Sequence, residues 1–576
     1  MSATAEVPGR DPFEARRAVG AAGLLREFNE IGVLSAADVH VAARLAALVG
    51  EDSEVVRLAA ALAVRGPRLG HVFVDLTTIR DTASVESDEP VDLSGLPWPV
   101  VDRWLAELSG SELVAVGEDG ESRPLRLLGT RLYLDRYWRE ERSVAADLNE
   151  LTASGRLHVI AGGPGTGKTT RVARMVAELI EQAASTGTRP PLVALAAPTG
   201  KAAARLQEAV HAETARLAVG GEIRALLMAL RASTLHRLLG WRPGSHSRFA
   251  HDRGNRLPHD VVIVDETSMV SLSLMARLVE AVRPGARLIL VGDPGQLTSI
   301  EAGVVLGDIV GSDPGPRDTP GIVVLERVHR FGGGIATLAD AIRRGDGDGA
   351  VAALRGAPAD VTWLPVDVHE SEAGLEQVRS RAVAAGVAVA AAAREGAADR
   401  ALTALGGFRL LCAHRRGPYG VGDWNSRVQG WLAGEIEDIE RRDYVGRPLL
   451  VTENDYELGL YNGDTGVIVQ GAGERPTAAF ERGGELLRIS PLRLGAVETV
   501  YAMTIHKSQG SQFDTAVVLL PPESSRILTR ELLYTAITRA RTELILVGTE
   551  EAVRRAVGRP VARASGLGER LRGKRS

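Results

Sequence analysis

An α/β fold of several domains is what this sequence predicts, and three observations carry it. Short apolar runs rich in Val, Ile and Leu alternate with helical segments, as at Leu157 to Ile160, Leu192 to Ala197 and Val261 to Val264. The first of these runs feeds directly into a glycine-rich loop and then a helix, the order in which parallel sheets present ligand groups at their strand ends. At 576 residues the chain exceeds one core, and about 150 residues per domain gives three to four.

The loop after the first strand is Gly162-Gly163-Pro164-Gly165-Thr166-Gly167-Lys168-Thr169-Thr170. Its GxxxxGKT spacing makes a phosphate cradle: glycines let backbone N–H groups turn inward and the following helix points its positive end at the same place. Lys168 reaches the outer phosphates of a nucleotide such as ATP, and the Thr169 hydroxyl can ligate Mg²⁺. The run Val261 to Val264 ends in Asp265-Glu266, which supplies one carboxylate for the Mg²⁺ shell and a second to orient or deprotonate the attacking water. That pair separates a hydrolase from a passive nucleotide binder. Arg287 to Gly292 repeats the device, ending in Asp293-Pro294-Gly295-Gln296, where Gln296 can sense a γ-phosphate.

Composition narrows the partners. A hydrophobic content of 45% with 24% charged residues is ordinary for a globular protein, and the net charge of −5 offers no global basic field. Any nucleic-acid site is then a local groove. The single cysteine, Cys412, excludes an intrachain disulfide and a Cys-based metal cluster, which suits a reducing, cytoplasmic location. It lies in the run Phe408 to Cys412, which reads as a buried strand. No basic-then-apolar leader and no membrane span is visible; the Ala-rich run Ala382 to Ala393 reads as a core helix.

Taken in order, residues 1–138 show helix-like spacing at Leu24, Leu25, Phe28, Ile31 and Leu34, which predicts a helical N-terminal domain. It carries an acidic patch from Asp81 to Asp92, with Glu86, Asp88 and Glu89, and no catalytic constellation, so it is either a partner surface or a supporting domain. The aromatics in Leu132 to Trp138 either pack on an adenine or wedge between domains. Residues 139–335 form the first α/β domain. Within it Trp241 to Pro258, with Arg242, His246, Arg248, His251, Arg253 and Arg256, reads as a protruding hairpin or loop. Residues 336–576 form a second α/β domain with strands at Phe408 to Cys412 and Leu544 to Val547. Short strands separated by turns across 446–497 predict a small β-barrel insertion. The basic tail after Arg554 reads as a solvated helix end.

From Leu132 to Leu571 the segments GGPGTGKTT, APTGKAA, STLHRLLG, VIVDETSMV, GDPGQL, VHRF, NGDTGVIV, TIHKSQGSQF and LLYTAITRAR follow one another. That set resembles the superfamily 1 helicases and, within them, the RecD family. The resemblance implies two tandem RecA-like P-loop NTPase domains with ATP and Mg²⁺ between them, a helical N-terminal domain and an SH3-like β-barrel insertion. Lys168, Thr169, Asp265, Glu266 and Gln296 would then act from the first domain, with Arg330 and Arg539 as arginine fingers from the second. Thr199, Lys201, Thr234, His236, Thr504, His506 and Lys507 would line one DNA strand, and Trp241 to Pro258 would be a pin that parts the duplex. The resemblance further implies 5′ to 3′ movement, single-stranded and duplex-end DNA as substrates, RecB-like and RecC-like subunits in a heterotrimer, and a role in double-strand-break repair and recombination. Nuclease activity would belong to a partner, since no carboxylate–lysine nuclease constellation is found. A stand-alone RecD-like helicase and an ATP-gated regulatory subunit are the alternatives. One departure stands out: Arg139 to Arg156 lacks the glutamine with which such helicases usually read adenine.

Overall fold

Strands buried on both faces need helices on both faces, and the apolar runs here find them in two separate parallel sheets. The computed structural model describes residues 17–85, 92–242, 249–299, 301–311, 321–325, 333–369, 374–455, 457–471, 475–482 and 485–573.

The N-terminal domain comprises α1 (Gly23–Glu30), α2 (Ala36–Val49), α3 (Glu54–Arg68), β1 (Phe73–Asp75), α4 (Ile79–Thr82), α5 (Val101–Gly110), β2 (Val114–Val116), β3 (Leu125–Leu128) and β4 (Arg131–Leu134). The expectation of a helical domain is therefore corrected: its helices share a core with a four-stranded sheet in the order β1-β4-β3-β2. These strands are three or four residues long, too short for alternation to be legible against the surrounding helical periodicity. Glu86, Asp88 and Glu89 of the acidic patch lie outside the described residues.

The first parallel domain begins earlier than residue 138, because α6 (Asp135–Ala153) runs across that position. It continues through β5 (Leu157–Gly162), α7 (Lys168–Ser185), β6 (Val193–Ala197), α8 (Gly200–Arg216), α9 (Gly221–Ala229), β7 (Ala232–Thr234), α10 (Leu235–Leu238), β8 (Val261–Val264), α11 (Leu272–Ala281), β9 (Arg287–Gly292), α12 (Val305–Val310) and β10 (Ile322–Leu325). The sheet order is β10-β5-β9-β8-β6-β7, all parallel. Tyr133 and Trp138 are buried in the core that joins this sheet to the N-terminal domain, which settles the aromatics as an interdomain wedge. The Arg126 guanidinium, paired with Asp135 at 2.6 Å, lies 3.9 Å over the Trp138 ring and satisfies itself on the carbonyls of Gly117, Glu118, Gly120 and Glu121.

The second parallel domain comprises α13 (Gly333–Arg344), α14 (Gly347–Arg355), β11 (Val361–Leu364), α15 (Glu376–Arg394), α16 (Ala398–Gly407), β12 (Phe408–Cys412), α17 (Val421–Leu432), β13 (Pro448–Val451), β14 (Thr465–Gln470), β15 (Pro476–Arg482), β16 (Glu485–Ile489), β17 (Val497–Thr499), β18 (Ala502–Thr504), β19 (Phe513–Leu519), α18 (Arg530–Ile537), β20 (Ala540–Val547) and α19 (Glu550–Gly558); the last helix, α20 (Leu567–Arg572), packs instead on α6 and α12 of the first. Its sheet runs β11-β20-β19-β12-β18, all parallel, with Cys412 fully buried on β12. The run Ala382 to Ala393 lies within α15 and packs in the core. The insertion is an antiparallel five-stranded sheet in the order β16-β15-β14-β13-β17, and its end strands do not pair with each other among the described residues. No helix of the described residues is long and apolar enough to cross a membrane.

The tail is not a solvated helix end. After Val561, whose N–H bonds Glu531 of α18, the chain crosses to the N-terminal domain, where Ala564 exchanges hydrogen bonds with His71 and Val72. Gly566 then donates to the buried Glu141 carboxylate on α6 at 2.7 Å, and Arg131 pairs bidentately with Glu569 at 2.6 and 2.9 Å. Basic residues here find acidic partners far away in sequence, which a local charge count cannot reveal. Leu567 is fully buried in the core shared by the N-terminal domain and the first sheet. Leu567→Ala should weaken that docking by roughly 2–5 kcal/mol, read as a lower Tm and faster proteolysis of residues 559–573.

Candidate nucleotide site between the two parallel sheets

The phosphate loop leaves β5 with Gly165 at φ +78° and Gly167 at φ +85°, conformations that favour glycine. A Cβ on Gly162 would meet the Thr166 hydroxyl at 2.6 Å and the Leu325 carbonyl at 2.8 Å. Helix α7 starts with no side-chain cap, so its first-turn N–H groups remain for a ligand, and an anion satisfies them best. Lys168 Nζ donates to the carbonyls of Gly162 and Gly163 at 2.7 and 2.9 Å. An ammonium carries three donors, so one is left for a phosphate oxygen.

β8 delivers Asp265 and Glu266 next to this loop. Glu266 adopts φ +51°, ψ +39°, a left-handed conformation costing a non-glycine residue about 1–3 kcal/mol, and its N–H bonds Asp265 Oδ1 at 2.8 Å. Burial, then the charge of Glu266, push the Asp265 carboxyl up to about 6, with Lys168 opposing. Oxygen donors of this type, a carboxylate and a threonine hydroxyl, suit Mg²⁺, and a divalent cation would offset both causes of that shift.

From β9 the loop 293–297 meets the second domain. Asp293, 2% exposed, accepts from Gly295 N and from Gln296 Nε2, both at 3.0 Å. Gln296 Oε1 accepts from Arg539 Nη2 at 2.8 Å, and Leu297 N donates to Thr535 Oγ1 at 2.8 Å. Arg539, also 2% exposed, donates to the carbonyls of Thr535 and Ser511 as well. Burial depresses its pKa, while Glu266 and Asp293 oppose that shift. Lys168, Asp265, Glu266, Gln296 and Arg539 are thus brought to one cleft. Arg330 lies outside the described residues.

A second set of expected residues sits at neighbouring strand ends. Thr199 caps α8 by accepting from Ala202 N, Thr234 caps α10 by accepting from Arg237 N, and Thr504 accepts from Lys507 N. Capping uses a hydroxyl lone pair and leaves each O–H able to donate. Lys507 pairs with Glu498 at 3.7 Å. Burial, reinforced by Arg563 and Arg415, pushes His506 down to about 4, so its imidazole is neutral near pH 7. Burial likewise depresses His236, whose ring sits 5.9 Å from Phe249. Lys201 is packed under the insertion, where a Cβ on neighbouring Gly200 would touch Tyr461 at 3.9 Å. Burial, then Arg205 and Arg409, lower its pKa to about 7 against the pull of Asp464. Arg205 also donates to Gly510 O at 2.6 Å, a direct link between the domains.

Of the expected pin, Trp241 and Phe249 pair as an antiparallel bridge at its base. Beyond it Leu257 is buried and Arg253 is held by Asp147 at 2.6 Å, while residues 243–248, with His246 and Arg248, lie outside the described residues. Sequence reading missed Asp293, Tyr534 and Thr535 as site residues. All three lie in the quoted segments GDPGQL and LLYTAITRAR, and only their partners across the cleft identify them.

Comparison with known proteins agrees with this layout. Residues 30–133 match the family described as RecBCD enzyme subunit RecD, N-terminal domain, residues 147–302 an AAA domain, and residues 499–547 a UvrD-like helicase C-terminal domain. A RecBCD enzyme subunit RecD from Mycobacterium tuberculosis is 50% identical over 96% of this chain and 98% of its own length. The chain belongs to the RecD family. Within it, the Haemophilus influenzae RecBCD enzyme subunit RecD is 32% identical over 72% of this chain and 70% of its own. The ATP-dependent RecD2 DNA helicase of Deinococcus radiodurans is 33% identical, covering 74% of this chain and 52% of its own. A solved structure of Bacteroides Pif1 bound to single-stranded DNA is a remote likeness, 18% identical over 71% of this chain and 91% of its own, with a TM-score of 0.36.

The raised Asp265 pKa has a stability consequence. Between about 4 and 6 the folded protein holds more protons than the unfolded chain, so stability falls as pH rises through that window. Asp265→Asn should therefore raise the Tm of the ligand-free protein by a few degrees at pH 8, with the difference vanishing near pH 4, as thermal melts across pH would show.

Proposed function

We propose that this chain is an ATP-driven DNA helicase, the motor subunit of a RecBCD-type complex that processes duplex ends in double-strand-break repair and recombination. The observation that carries this reading is the 2.8 Å bond between Gln296 of the first domain and Arg539 of the second at the mouth of the phosphate loop. A hydrolytic set divided between two domains ties their relative position to the state of the γ-phosphate, which is what a translocating motor needs. Gly162 to Thr170 would cradle the polyphosphate. Thr169 and Asp265 would hold Mg²⁺, which shields the phosphate charge, and Glu266 would orient and deprotonate the water. Arg539, with Arg330, would reach the γ-phosphate from the second domain.

Thr199, Lys201, Thr234, His236, Thr504, His506 and Lys507 are the proposed contacts to one strand. Three hydroxyl donors at strand ends and the half-buried Lys507 address backbone phosphates, which suits movement indifferent to base sequence. The family and the relatives named as RecBCD subunits support RecB-like and RecC-like partners; we assign the contact to the N-terminal domain and the nuclease to a partner. A 5′ to 3′ direction and a cytoplasmic location complete the reading.

ATP turnover with and without single-stranded DNA, and strand displacement from 5′ and 3′ overhangs, test it in the isolated chain and in the reconstituted complex. DNA should stimulate hydrolysis, and unwinding should proceed from the 5′ overhang. Glu266→Gln should lower turnover by at least about 100-fold while nucleotide still binds. A complex carrying Lys168→Ala that unwinds at the full rate would instead make this chain an ATP-gated regulatory subunit.

A further inference from the structure

Gln296 can serve a γ-phosphate only if its amide points one way, and the structure holds that orientation from outside the first domain. Asp293 fixes the amide by accepting from Gln296 Nε2, which leaves Oε1 for Arg539. Asp293 is itself held by Gly295 N, and its carboxylate faces the Tyr534 hydroxyl. Tyr534 comes from α18 of the second domain and is buried against the phosphate loop. A Cβ on Gly163 would stand 2.9 Å from its hydroxyl, and one on Gly295 would stand 3.4 Å from its ring. Tyr534, Asp293, Gln296 and Arg539 therefore form a chain of contacts that leaves the second domain at Tyr534 and returns to it at Arg539.

We propose that Tyr534 is a positioning residue for ATP hydrolysis, holding the Gln296 amide toward Arg539 through Asp293 and registering the phosphate loop against the second domain. It touches no reacting atom. Its hydroxyl stays protonated, and so a donor, because burial raises its pKa far above the ordinary value. Without that donor, Asp293 keeps two bonds in a site closed to water, and its carboxylate can turn to improve them, releasing Gln296. Neutral donors and a carboxylate make such a network cooperative, so loss at one end is felt at the other.

The inference rests on the hydrolytic reading above, and the test separates the two. Tyr534→Phe keeps the ring that packs on Gly295 and removes only the hydroxyl. In the full chain, and in the complex, DNA-stimulated hydrolysis should show kcat about tenfold lower, with KM for ATP and the Kd for a non-hydrolysable analogue within about twofold, since small misplacements cost turnover rather than binding. Asp293→Asn should give a comparable kcat defect, and the double variant should add little to either single change. A Tyr534→Phe protein with kcat within about twofold of the parent, or with kcat and nucleotide affinity lost together, or strictly additive defects, overturns the assignment. Glu266→Gln is the control: if it hydrolyses ATP as the parent does, the hydrolytic reading fails whatever Tyr534 shows.

Discussion

A guanidinium cannot shed its proton, so burying one obliges the fold to surround it with acceptors. Arg539 is in that position, and the second domain alone cannot satisfy it. Its own domain supplies the carbonyls of Thr535 and Ser511 and, at 3.4 Å, the Thr538 hydroxyl, while Gln296 of the first domain takes the shorter bond from Nη2 at 2.8 Å. Docking of the two parallel sheets is thereby tied to the polar order of the cleft between them. The Leu297–Thr535 and Arg205–Gly510 bonds, and the bond from Gln509 Nε2 to Leu297 O at 2.7 Å, follow the same interface. Leu297 adds an apolar anchor, buried in the hydrophobic core of the second domain.

The opposite holds on the other side of the first domain. There the N-terminal domain, α6 and the tail share a continuous apolar core containing Phe73, Tyr133, Trp138 and Leu567. Arg126 pairs with Asp135 and Gly566 donates to Glu141, while the buried Trp138 indole N–H has no hydrogen-bond partner among the described residues. Burial raises the Glu141 carboxyl, a sign of how little water reaches it. A dry, packed joint resists movement, so the N-terminal domain and the first sheet form one body. The strap from Val561 to Ala564 is the exception, since it is anchored at one end to α18 and at the other to His71 and Val72. Motion between the two sheets would act on this strap and on the bond from Arg526 to Ala83 O at 2.8 Å, another tie between the second and N-terminal domains.

The phosphate loop was legible at once because its chemistry is local. Glycines at fixed offsets, a lysine and a threonine need no partner beyond their own strand and helix, and β5 and α7 fall where the spacing puts them. The same is true of Asp265 and Glu266 at the end of β8. Less legible were the short strands of the N-terminal domain, whose pairing joins residues as distant as Phe73 and Tyr133. The basic tail was misread for a related reason, because Arg570 and Glu569 look solvated until Glu118 and Arg131 are brought to them.

What the sequence determined by itself is everything that periodicity and short-range spacing encode: two parallel α/β units, the nucleotide cradle, the paired carboxylates and the order of the motif segments. What only the tertiary structure decided is which groups meet across the cleft and across the joint. Gln296 and Arg539 are separated by 243 positions, and Ala564 and His71 by 493. No local pattern records such a meeting, because the burial that makes Arg539 need Gln296, and Glu141 need Gly566, exists only after the sheets have formed and closed on one another.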